Sequence, residues 1–238
     1  MAFGKKEVNV NMQTPEEPTP SASARALATL SMGLVSISAL CLGALHLLSS
    51  ELDPSWHMVS EYAYGNHGAL LCVFFLSWGL GAIALGLATI AWADRWRHRL
   101  GVCLVIVSGF GAVGGGLFDV RHALHGLAFG IGVPTLPIGA LLLNGLLSKH
   151  APAARQRLRV LAHATWICIL IMAVTMVLFI ASLKAAGAFH PESGQALKSL
   201  PHGVTSVSGY ANRLLVMVYL TWIGVAAGAI RTISKVPR

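Results

Sequence analysis

Six apolar stretches, each long enough to cross a bilayer as a helix, lie near residues 26–48, 68–93, 100–118, 122–147, 158–183 and 212–230. About 20 apolar residues span the hydrocarbon core as a helix. In lipid, every backbone N–H and C=O of such a segment must be satisfied within the protein. These two constraints leave one fold class, an all-α polytopic membrane bundle of six transmembrane helices. Composition supports it. The chain is 55% hydrophobic and 11% charged over 238 residues, whereas soluble domains carry about 25% charged residues. The third and sixth stretches are near the short limit for a span. The fourth and fifth are long, which predicts tilt or a kink.

The 17 Lys and Arg residues divide unequally between the polar segments. Thirteen lie in the N-terminal tail, the second and fourth loops and the C-terminus, and four (Arg121, Lys184, Lys198 and Arg213) lie in or beside the first, third and fifth loops. The positive-inside rule then places both termini in the cytoplasm and the odd-numbered loops outside. It also accounts for the net charge of +8 without nucleic acid, for which no recognition fold fits between the spans. Residues 1–24, with Thr14-Pro15-Glu16-Glu17-Pro18-Thr19-Pro20, read as a disordered cytoplasmic tail, and 25–238 as the membrane domain. The first apolar run is too long for a cleavable signal core. Leu40 before Cys41 does not fit a lipoprotein cleavage box. Cys41, Cys72, Cys103 and Cys168 each fall in a different span, with no CxxC pair, and read as small buried apolar residues.

The outer loops hold the candidate chemistry. The first contains Asp53-Pro54, a helix-start signal, and Gly65, a stop. A short interfacial helix between them puts Asp53, His57 and Glu61 on one face by their spacing of four. Trp56, Val59 and Ala63 share another face, turned to the membrane interface. The third loop carries Asp119, His122 and His125, the histidines three apart and so adjacent on a helix. With Glu61 they form a candidate divalent-metal set, since such sites use imidazole and carboxylate ligands. The fifth loop is the longest and holds His190, Glu192, Lys198 and His202; a loop of this length reads as a lid or binding loop. Arg213 opens the last span, and an arginine at that depth predicts pairing with Glu61, Asp119 or an anionic ligand.

Other features carry less. Gly109-Phe110-Gly111-Ala112-Val113-Gly114 matches a dinucleotide fingerprint, yet it lies inside a span and follows no strand. Its glycines suit helix packing. Pro134 and Pro137 predict a kink in the fourth span, and Gly126, Gly130 and Gly132 would let another helix approach. Such glycine-rich faces are also candidates for oligomerisation. His46, His163 and Asn144 are intramembrane polar residues expected to face inward. Only His46 with His125 suggests a pair at matched depth, which is a poor basis for haem. No internal repeat and no hydrolase or metalloprotease motif is present.

Three stretches together resemble the bacterial membrane family known as domain of unknown function 998. They are Val59-Ser60-Glu61-Tyr62, the Phe118-Asp119 and His122/His125 cluster before a proline-containing span, and Gly209-Tyr210-Ala211-Asn212-Arg213 opening the last span with Trp222. The order of elements is kept over roughly 25–235. Tyr62 stands where the family has a small apolar residue, and Asp119-Val120-Arg121 stands for its Asp-Pro-Pro. The resemblance implies a bacterial inner-membrane location and no established activity. A more distant similarity, to the Frag/DRAM/Sfk membrane group, implies lipid handling.

The sequence thus predicts an extracytoplasmic polar site built from Glu61, Asp119, His122, His125 and Arg213, with His57 and Asp53 next. The first reading is binding of a lipid or small amphiphile, Arg213 meeting an anionic head group. The alternatives are a metal-dependent membrane hydrolase, a proton-coupled transporter using Glu61 and His125, and a purely structural clamp. Whether the protein is an enzyme stays open, and no cofactor is required by the sequence.

Overall fold

The computed structural model describes residues 20–188, 197 and 199–233, and all regular secondary structure among them is helical. The apolar stretches form α1 (Ala22–Leu48), α2 (Gly68–Thr89), α3 (Trp96–Leu117), α4 (Ala123–His150), α5 (Arg155–Ala185) and α6 (Ser208–Thr232). All six are long and apolar enough to cross a membrane. Residues 1–19 of the expected tail and His190, Glu192 and Lys198 of the fifth loop lie outside the described residues.

Several helices outrun their apolar cores. α3 takes in Arg97 and Arg99, α5 takes in Arg155 and Arg157, and α6 begins at Ser208. Basic side chains at a helix end can snorkel to the interface, so the backbone stays helical past the apolar run. The third and sixth spans are therefore 22 and 25 residues long, no longer near the short limit. At the other end of the chain, Ser21 caps α1 by accepting the Ala24 N–H at 3.1 Å. Residues 22–24, read from sequence as tail, belong to that helix.

Helices adjacent in sequence pack side by side, and α6 closes the ring against α1; α2 and α4 also reach α6 across the middle. Burial ranks them. In the most apolar window, 61% of α2 and of α6 is buried but only 11% of α5, so α5 is a peripheral helix. Exposed apolar residues such as Leu40, Leu47, Phe110, Val177 and Leu178 form the lipid-facing surface. Because lipid tails are as apolar as leucine, helix association must rest on close packing and interhelical hydrogen bonds. Both are present. Ser31 and Ser38 of α1 donate to the Gly81 and Phe74 carbonyls of α2 at 2.8 and 3.0 Å. A Cβ at Gly79 would sit 2.4 Å from the Gly109 carbonyl oxygen, and one at Gly111 2.4 Å from Gly132 Cα. The fingerprint-like glycines of α3 are thus the contact points of α2, α3 and α4, and those of α3 are not free for oligomerisation.

α4 remains helical through Pro134 and Pro137. Each proline lacks the N–H that the carbonyl four residues earlier would accept, which leaves Gly130 and Val133 without that partner. The buried Tyr219 of α6 supplies one, its hydroxyl donating to the Val133 oxygen at 2.9 Å. One intramembrane expectation is corrected: His163 faces outward, accepting a hydrogen bond from Trp166 Nε1 at 3.2 Å on the exposed side of α5. Two residues one turn apart satisfy each other there, so neither needs the bundle interior.

Candidate functional site

The odd-numbered loops meet at one end of the bundle. The first does not form the single helix expected from 54 to 64. Asp53 accepts the Ser55 N–H on its carboxylate at 2.9 Å and the His57 N–H on its carbonyl at 3.1 Å, closing one turn. Met58 is then extended (ψ 160°), and a separate 3₁₀ turn runs Val59–Tyr64. The break scatters Asp53, His57 and Glu61 from their common face. It also turns the aromatic side inward: Trp56 and Tyr62 are buried in the protein rather than presented to the interface. Glu61 accepts the Met58 N–H at 2.5 Å, capping its own helical turn. Burial pushes its carboxyl above the usual range, partly opposed by the Met58 hydrogen bond and then by His57 and Arg213.

The start of α6 docks on this loop. A Cβ at Gly209 would lie 2.5 Å from the carbonyls of Pro54 and His57, so only glycine permits the approach. Gly209 N–H bonds Ser55 O at 3.0 Å, and Asn212 Oδ1 accepts the Val59 N–H at 2.9 Å. Arg213 lies at the centre. Its Nε donates to His46 Nε2 at 2.7 Å. Its first terminal nitrogen donates to the His57 and Gly209 carbonyls at 2.6 and 3.0 Å, and the second to the Tyr62 hydroxyl at 3.0 Å. Four of the five guanidinium protons are thereby placed. His46 hydrogen-bonds the Leu42 carbonyl through Nδ1 at 2.7 Å, which puts its proton there and leaves Nε2 to accept from Arg213.

The expected pairing of Arg213 with Glu61 or Asp119 is therefore not what the protein uses. Glu61 is held by Met58, and Asp119 has a nearer cation: Arg121 two residues on grips it through Nε and a terminal nitrogen. That contact holds the Asp119 carboxyl below the usual carboxylate range. Asp53, exposed, is likewise lowered by its Ser55 hydrogen bonds. The two histidines of the third loop also part company. His122 caps α4, its ring accepting the Leu124 N–H at 3.1 Å, and stays exposed. His125, buried one turn later, donates from Nδ1 to Phe118 O at 2.7 Å and lies against Phe129. Among the described residues no three His, Cys, Asp or Glu side chains are grouped to hold a metal, so the His122, His125 and Glu61 set is not assembled. His202 is exposed on the fifth loop.

Beside the Arg213 hub lies a cavity of about 440 Å³ between α2, α4 and α6, with Met172 as the contribution of α5. Phe75, Trp78, Phe129, Val133, Leu215 and Val216 make its wall apolar, and Ser60, His125 and Asn212 are its polar residues. Gly130 and Pro134 are on its α4 side. Gly130 is also exposed, which marks an opening toward lipid. The packing of α5 agrees. Leu158, Ala162, Thr165 and Cys168 are buried along one face, but beyond them only Leu183 is. The odd-loop half of α5 therefore buries little of itself in the bundle and reaches the cavity through Met172, with Val174, Val177 and Leu178 exposed.

A sequence model of the family described as protein of unknown function (DUF998) matches residues 32–229. No curated protein and no solved structure matches the chain.

Proposed function

The chain belongs to that DUF998 family, whose description brings no activity with it, and we propose from the geometry that it binds a lipid or small amphiphile in the cavity between α2, α4 and α6. One observation carries the reading. A cavity of about 440 Å³ with an apolar wall and a few polar atoms is the usual form of a small-molecule site, and this one borders the bilayer at Gly130. A ligand dissolved in the membrane enters sideways, past the little-buried half of α5, with its chain along Phe129, Val133 and Met172. Its polar end meets Ser60, His125 and Asn212.

The orientation belongs to the same proposal. With both termini cytoplasmic, in accord with the distribution of Lys and Arg, the polar end of the cavity opens on the extracytoplasmic side of a bacterial inner membrane. In this reading Arg213 does not meet a head group. It clamps α1, the first loop and α6 and so shapes one wall of the cavity. The hydrolase alternative loses its metal set, and no observation favours the transporter, since Glu61 and His125 are each tied to a different local backbone group.

Photocrosslinking tests the site. The full chain in nanodiscs, illuminated with a diazirine-tagged oleoyl amphiphile and digested, should be labelled in the peptides carrying Phe129–Pro134 and Asn212–Val216. Labelling confined to the lipid-facing positions of α5 and α1 would refute it.

A further inference from the structure

The polar atoms that border the cavity define the ligand's head. Asn212 uses its carbonyl oxygen on the Val59 N–H, which leaves its amide protons for a ligand. Trp78 lines the cavity with its ring, and its indole Nε1 is buried away from it. His125 gives its Nδ1 proton to Phe118 O, so in the neutral ring Nε2 carries a lone pair and accepts. Ser60 can do either. The set offers one amide donor group, one acceptor and one hydroxyl.

Among the described residues no charged side chain lines this cavity. The nearby charges are occupied elsewhere: Arg213 on His46, Tyr62 and two carbonyls, Glu61 on Met58, and Asp119 on Arg121. An ionic head drawn into this wall would lose its hydration and meet no counter-charge among the described residues. We infer that the cavity selects an uncharged amphiphile whose head combines a carbonyl with a neighbouring hydroxyl, the chemistry of a monoacylglycerol or a hydroxylated fatty ester. The carbonyl accepts from Asn212, and the hydroxyl donates to His125. This rests on the proposed site and names the class of its ligand.

The test uses three probes that share one oleoyl chain: monoolein, oleate and oleoyl lysophosphatidate. Each is titrated into the full-length protein in nanodiscs, and adducts are counted by native mass spectrometry beside Gly130→Leu. Gly130 lines the cavity and a Cβ there meets nothing within 4 Å, so leucine adds bulk beside the cavity without a backbone clash. The inference predicts that monoolein binds at least about tenfold more tightly than either anion, and that Gly130→Leu abolishes the difference. Anionic probes that bind as well as monoolein, and are lost in Gly130→Leu, would overturn the neutral-head assignment while leaving the site in place. Adducts unaffected by Gly130→Leu for every probe would remove the site itself, and the inference with it.

Discussion

At the scale of single residues, Arg213 shows how an intramembrane charge is accommodated without a carboxylate. Its four hydrogen bonds reach a histidine, a tyrosine and two carbonyls, and it lies 5.5 Å from the Tyr62 ring. Hydrogen bonds in membrane proteins average about 0.6 kcal/mol each by double-mutant cycles, so Arg213→Ala should lower stability by about 2–3 kcal/mol. Thermal unfolding in detergent would measure the loss, and Arg213→Lys should recover only part of it. Sequence reading identified Arg213 as important but not its partners, because backbone carbonyls leave no mark in a sequence. Glu61 makes a second prediction, of definite sign. Its carboxyl is raised in the folded protein, so the native state holds the proton to higher pH than the unfolded chain. Stability from this group is therefore present below the unfolded pKa of about 4.3 and is lost as pH rises through the raised value. Glu61→Gln, which mimics the protonated form, should match the wild type near pH ~4 and melt higher than it at neutral pH. Equal melting temperatures across that range would count against it.

At the scale of elements, what was legible in the sequence depended on the kind of physics involved. Apolar length marked every span, since the bilayer imposes it uniformly. The outer helix from Asp53 to Gly65 was misread because the spacing of four is compatible with one helix, whereas the docking of Gly209 on the Pro54 and His57 carbonyls requires a loop that breaks at Met58. Asn212 and Tyr62 stood in the motifs that signalled the family, but the cavity-lining Phe75 and Trp78 gave no signal, being aromatic residues in an apolar run. Close packing at α2, α3 and α4 gives a direct test. Gly111→Val forces a side chain against Gly132 Cα and the Ala128 carbonyl, and should destabilise the bundle by about 1–3 kcal/mol. Tyr219→Phe should cost about 1 kcal/mol by stripping the Val133 carbonyl of its donor, an effect that Pro137→Ala restores by returning the missing N–H. A double-mutant cycle reads the coupling.

At the scale of the whole molecule, α5 is the least buried helix of the ring, and in the proposed reading lipid reaches the pocket beside it. The proposed orientation predicts that a single cysteine replacing Glu51 or His202 reacts with an impermeant maleimide in intact cells, and that one replacing Arg97 reacts only after lysis. The claim on which the account depends is occupancy of the cavity. The most direct measurement is the amount of lipid or amphiphile retained by the purified protein, wild type beside Gly130→Leu, with both shown to be folded by circular dichroism. The account predicts a near-stoichiometric amphiphile on the wild type that falls at least about tenfold in the variant. Equal retention by the two proteins would contradict it.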